Sequence, residues 1–136
     1  MNSEYNAQAA ELLHATSELN VLSDIIHDRN VAAGWWTDLH TGKSIKQTRN
    51  KGELMMLFVS EIAEAFEGVR KNIPDSHLPH RSAEEVELAD LLIRVFDYAG
   101  AYELDLAGAV LEKLAYNATR ADHKRENRLA DHGKKF

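Results

Sequence analysis

Apolar positions recur at intervals near three and four along residues 4 to 29, where Ala10, Leu13, Leu19, Leu22, Ile25 and Ile26 form a single stripe. This pattern predicts one long amphipathic helix, ended by Gly34. From Trp35 to Asn50 no period is visible, and Thr41-Gly42-Lys43-Ser44 has turn chemistry, so the segment is expected to be a loop. Asn50 followed by Glu53 has the form of a capping box, opening a second helix that runs to about Lys71, where Asn72-Ile73-Pro74-Asp75 breaks it. Ser82 with Glu85 repeats the signal for a third helix reaching about Tyr102, and Asp105 is placed to cap a fourth that ends near Asp122. The polar tail from His123 to Phe136 is expected to be disordered or laid across another surface. No segment alternates with period two for the length of a strand. The expected class is all-α, most simply a four-helix bundle forming one domain over residues 1–136.

The second and third helices are apolar nearly all round, with Leu54 to Val59, Ile62 and Phe66 in one and Val86, Leu88, Leu91 to Ile93, Val95 and Phe96 in the other. Four short helices cannot cover so much apolar surface, so a homodimer or homotetramer is expected. With 44% hydrophobic and 28% charged residues the composition is that of an ordinary globular protein. The apolar run Leu54–Val59 is too short for a membrane span, and Met1 to Tyr5 lacks the character of a signal peptide, which points to the cytoplasm and away from a membrane partner. Cysteine is absent, leaving oxygen and imidazole as the strong metal ligands. A net charge of −6 argues against general nucleic-acid binding.

The second and third helices also each carry an acidic pair, Glu61/Glu64 and Glu87/Asp90. Residues three apart on a helix share a face, so each pair can grip one point, and two such helices side by side would gather four carboxylates. Like charges in apolar surroundings repel unless a cation sits among them, and Mg²⁺, with Mn²⁺ as a substitute, is the hard ion such a set suits. The bland alternative is a set of surface acids in local ion pairs, for which Asp90 with Arg94 and Arg94 with Asp97 have the right spacing.

Lys113, Asn117 and Arg120 fall on one face of the fourth helix and form a candidate phosphate clamp, or else a solvated basic face. Trp35 and Trp36 are candidates for stacking on a nucleobase, although tryptophans at a loop edge more often close a core. The linker holding His77, His80 and Arg81 is read as a polar turn that can also touch phosphate. Two histidine-based metal readings compete. Glu11 and His14 fit the E-x-x-H element of di-iron bundles, but no later helix supplies the second copy. His27-Asp28 matches the paired ligands of His-Asp helical phosphohydrolases over two residues, with His14 as an extra ligand. A third alternative is a non-catalytic helical interaction module.

The order E-x-x-E, spacer, E-x-x-D, at Glu61/Glu64 and Glu87/Asp90, followed by Lys113-x-x-x-Asn117-x-x-Arg120, resembles the MazG-type family of all-α nucleoside triphosphate pyrophosphohydrolases. Gly34-Trp35-Trp36 and the terminal Gly-Lys-Lys-Phe are similar to segments of small members, so the resemblance covers roughly residues 20 to 136. It implies Mg²⁺-dependent hydrolysis of a nucleoside triphosphate between the α and β phosphates, giving the monophosphate and pyrophosphate. Glu61, Glu64, Glu87 and Asp90 would hold the metal, and Lys113 and Arg120 the leaving pyrophosphate. Some relatives have a further acid just before the first motif residue, where this chain has Ser60. Glu64 or Glu61 is therefore the candidate for orienting the attacking water, with Glu67 a weaker one.

Overall fold

The computed structural model describes residues 2–134, with side chains from residue 10 onward. Lys135 and Phe136, the end of the Gly-Lys-Lys-Phe segment, lie outside the described residues. Those described form helices α1 (Asn2–Ala32), α2 (Lys51–Lys71), α3 (Ala83–Ala101) and α4 (Leu106–Thr119), then a 3₁₀ turn Ala121–His123 and a short α5 (Arg125–Leu129). Two isolated β-bridges, Thr37–Ser44 and Pro74–Ser82, pin the connecting loops. The protein is all-α, as the periodicity predicts. By its internal contacts the chain falls into two compact units, Val21–Leu104 and a second made of the residues up to Asn20 with those from Asp105 onward.

In the first unit, α2 starts where the Asn50 side chain accepts the backbone N–H groups of Gly52 and Glu53. It stops at Asn72, which turns left-handed at φ 49° and donates its N–H to the carbonyls of Gly68 and Val69. At the start of α3, Ser82 and Glu85 form the complete capping box. The two helices run antiparallel, as three rungs show: Gly68 beside Ala83, Glu61 paired with Arg94, and the Phe58 ring edge-on to Tyr98 at 5.8 Å. Gly68 makes the closest rung possible, because a Cβ there would lie 2.9 Å from that of Ala83.

The buried centre of this unit is Trp36, Leu54, Tyr98 and Ala101, flanked by Phe58 and Tyr102. Trp36 and Tyr102 meet edge-to-face at 5.9 Å, a favoured aromatic geometry. The 33–50 loop is thus packed onto α3. The C-terminal part of α1 joins through His27, whose Nδ1 lies 2.7 Å from Asp97 Oδ1 and whose Cβ would be 2.6 Å from a Cβ placed on Gly100. Much apolar surface stays open. On α2, Met55, Val59, Ile62, Phe66 and Val69 are all exposed, at alternating intervals of four and three residues.

In the second unit Asp105 caps α4 by accepting the Gly108 N–H. The helix is shorter than its periodicity suggests. Arg120 has an extended backbone with ψ 130°, so α4 stops at Thr119 rather than near Asp122. The tail, expected to be disordered or draped, carries local structure through Lys134: Asn127 Nδ2 donates to the Ala121 carbonyl at 2.6 Å, and the Gly133 N–H to the Ala130 carbonyl at 2.8 Å.

Candidate metal and nucleotide site

Antiparallel pairing of α2 with α3 turns the two acidic motifs toward one another. One carboxylate oxygen from each of Glu61, Glu87 and Asp90 lies within 4.8 Å of the others, and among the described residues this is the His/Asp/Glu group close enough to share an ion. Glu61 is buried, 5% exposed, and accepts a hydrogen bond from Arg94 Nε. The local pairs that the spacing suggested are replaced by longer-range ones. Arg94 reaches across to Glu61, and Asp97 accepts from Trp36 Nε1 at 2.8 Å while holding His27.

Burial first, and then the charges of Glu64, Asp90 and Glu61, raise the Glu87 pKa above its ordinary value. Asp90 is likewise raised, by burial and by Glu61, against the opposing pull of Arg94. Three hard oxygen donors crowded beyond what one guanidinium neutralises are a donor set suited to Mg²⁺ or Mn²⁺. Glu64 stands outside this group. Three residues along from Glu61, it is exposed, lines the same cleft and is close enough for its charge to act on Glu87.

That cleft, about 460 Å³, is also lined by Asp75, His77 and Leu78 of the α2–α3 loop. Asp75 is 5% exposed and accepts the backbone N–H groups of His77 at 2.9 Å and Leu78 at 2.6 Å. Those bonds, that of Leu78 foremost, hold its carboxyl below the usual range. The linker is therefore a polar turn, as expected, and one that delivers side chains to the acids.

A second cavity, about 280 Å³, adjoins the first through shared walls of Asp90 and Arg94. Trp35, Trp36, Phe58 and Tyr98 give it aromatic sides, while Asn30, Arg49 and Asp97 supply polar groups. The two tryptophans differ in kind. Trp36 is 5% exposed, with its indole N–H taken by Asp97 and Arg49 4.9 Å above its ring, so it serves as core and wall rather than as a free stacking platform. Trp35, 65% exposed, is the tryptophan with an open ring.

Lys113, Asn117 and Arg120 belong to the other unit. Lys113 lies 4.8 Å from the Tyr116 ring, and Arg120 forms a forked pair with Asp122 at 2.9 and 2.6 Å. Arg120, being past the last residue of α4, does not share the helical face of the other two. Asn117 Oδ1 is buried without a hydrogen-bond partner. The histidine alternatives fare differently from the acids: His27 is held by Asp97 against the Trp36 ring, and His14 sits exposed beside Glu18 at 3.8 Å.

His77 is legible in the sequence as part of the linker able to touch phosphate, whereas Arg94, Asp75, Arg49 and Asn30 carry no site role there, Arg94 entering only as a local ion-pair partner. Their roles depend on contacts across helices or loops, which helix spacing does not report. Among them Asp75 alone left a signal, an aspartate just after proline with free N–H groups two and three residues on. Compared with family models, curated proteins and solved structures, the chain matches none.

Proposed function

We propose that this all-α chain is a divalent-cation-dependent nucleoside triphosphate pyrophosphohydrolase of the MazG type, serving nucleotide-pool house-cleaning. The observation that carries the reading is the convergence of Glu61, Glu87 and Asp90 beside an aromatic cavity that shares Asp90 and Arg94 with the acidic cleft. Such a pair of cavities suits a ligand that is flat and heteroaromatic at one end and anionic at the other. Mg²⁺, when bound, neutralises phosphate charge and lowers the pKa of a coordinated water.

In this reading Glu61, Glu87 and Asp90 hold the cation, and Arg94 fixes the buried Glu61 carboxylate. Glu64, exposed in the cleft lining and outside the three-carboxylate group, orients the attacking water. Trp35 covers the base. The phosphate-binding role that the resemblance implies for Lys113, Asn117 and Arg120 belongs to the same proposal, and Arg120 would exchange Asp122 for phosphate to fill it. The exposed α2 stripe is the surface on which copies would pair, completing a helical bundle as a homodimer or homotetramer.

A panel of ribo- and deoxynucleoside triphosphates, hydrolysed in oxygen-18 water with Mg²⁺, tests the reading. Label on the nucleoside monophosphate together with pyrophosphate supports it. Nucleoside diphosphate and orthophosphate as first products, or no hydrolysis of any member, refutes it.

A further inference from the structure

The acidic cleft contains more than its carboxylates. Of its lining residues, Glu61, Glu64, Asp75, Glu87 and Asp90 are acceptors and Leu78 and Val86 are apolar. Side-chain N–H donors come from two residues, Arg94 and His77. Arg94 is tied to Glu61 and stands in the wall shared with the aromatic cavity. His77 enters from the opposite element, the α2–α3 loop, and has no part in the mechanism so far.

The loop that carries His77 is closed at several levels. Its ends meet in the Pro74–Ser82 bridge, the Asp75 N–H donates to the Arg81 carbonyl at 3.0 Å, and the Arg81 N–H donates to the Leu78 carbonyl at 2.8 Å. At its base the buried Asp75 accepts the N–H of His77 itself. A buried carboxylate that fixes the backbone N–H of an exposed histidine preorganises the backbone from which that side chain projects, so this part of the ordering is achieved before any ligand arrives. His77 Nδ1 lies 3.3 Å from Ser76 Oγ, which leaves Nε2 for a ligand.

We propose that His77 binds the phosphate oxygens of the nucleotide, presented to the cleft by the loop that Asp75 locks. The proposal rests on the pyrophosphohydrolase reading and adds the α2–α3 loop to its phosphate-binding groups. A cleft of acceptors alone would leave the non-bridging oxygens of a polyphosphate facing carboxylates, and an imidazole N–H on the side away from Arg94 relieves that mismatch.

The test compares wild type with His77→Ala and His77→Gln, the second keeping an N–H donor. Steady-state kinetics on the triphosphate that the wild type hydrolyses are read beside Mn²⁺ affinity from electron paramagnetic resonance. Loss of one hydrogen bond to an anion should raise KM roughly tenfold in His77→Ala, with kcat and Mn²⁺ affinity changed less than about twofold. His77→Gln should recover most of the KM loss. Because His77 is exposed, neither variant should lose its helical circular dichroism. An unchanged KM, a fall in kcat alone, or a parallel loss of Mn²⁺ affinity would each overturn the proposal. If the wild type hydrolyses no triphosphate, the enzymatic reading fails on its own, and binding of inorganic tripolyphosphate with Mn²⁺ still decides the role of His77: it stands if His77→Ala weakens binding roughly tenfold and falls if binding is unchanged.

Discussion

Replacing Glu87 by glutamine should make the cation-free protein more stable and the cation-loaded protein less so than wild type. Glu87 has a carboxylate oxygen within 4.8 Å of oxygens on both Glu61 and Asp90. At that separation two unit charges repel by about 3.5 kcal/mol at an effective dielectric constant of 20. Glu87 is only half buried and Asp90 is exposed, so solvent screening takes most of this away, and about 1 kcal/mol is a fair net penalty. For a chain of this length that corresponds to a melting temperature roughly 3 to 5 °C higher in Glu87→Gln. The sign with pH follows from the raised pKa. The unfolded Glu87 loses its proton at lower pH than the folded one, so the penalty grows as pH rises through the carboxylate range up to the raised folded value and is complete at neutrality. The variant's advantage should therefore be full at pH 7 and vanish in acid. A cation at a hundred times its dissociation constant adds about 2.7 kcal/mol to wild type. Melting curves by circular dichroism, taken in chelator and in MnCl₂, should then cross: variant above wild type without the ion, wild type above variant with it. A variant that melts at or below wild type in chelator, or that gains as much from Mn²⁺ as wild type does, would refute the assignment of Glu87.

Two further predictions concern the scaffold. If copies pair through the exposed α2 stripe as proposed, Ile62→Lys in its middle should make the protein monomeric in sedimentation velocity while keeping its helical content; a monomeric wild type at micromolar concentration would remove the basis for pairing. Gly100→Ala should destabilise the protein by about 2 kcal/mol, since its Cβ would sit 2.6 Å from the His27 Cβ and force α1 off α3; an unchanged melting temperature would show that this contact yields freely.

The helices were legible because their signals are local. Asn50, Ser82 and Asp105 each cap the helix they were expected to cap, and the helix break falls at Asn72, in the segment expected to end it. The acidic centre was half legible. Spacing alone places Glu61 with Glu64 and Glu87 with Asp90, but it carries no information on how closely each residue of a pair approaches the facing helix, and Glu64 lines the cleft without joining the three oxygens that lie within 4.8 Å of one another. Arg94 illustrates the same limit. Its sequence neighbours Asp90 and Asp97 satisfy the local pairing rule, yet Asp97 is taken by His27 and Trp36, the buried Glu61 carboxylate needs a cation more than the exposed Asp90 does, and the antiparallel register puts Arg94 beside it.

Arg120 shows the reverse case, in which a local pattern suggested more order than the backbone keeps. The positions of Lys113, Asn117 and Arg120 share a face only if the helix continues through the last of them, and it ends one residue short. With ψ at 130°, Arg120 leaves the helical row and its guanidinium closes on Asp122, two residues on. Both side chains keep about a third of their surface exposed, at 32% and 39%, and an ion pair that solvent reaches in this way holds by about 1 kcal/mol or less. A phosphate, with more charge than a carboxylate and three acceptor oxygens, is a stronger partner for the same fork. The Asp122 pairing is thus compatible with a resting state in which the guanidinium is kept ordered between ligands. Asp122→Asn distinguishes a resting partner from a purely structural one: tighter binding of pyrophosphate by isothermal calorimetry is expected if Asp122 competes with phosphate for Arg120, and unchanged affinity would confine the pair to holding the start of the tail.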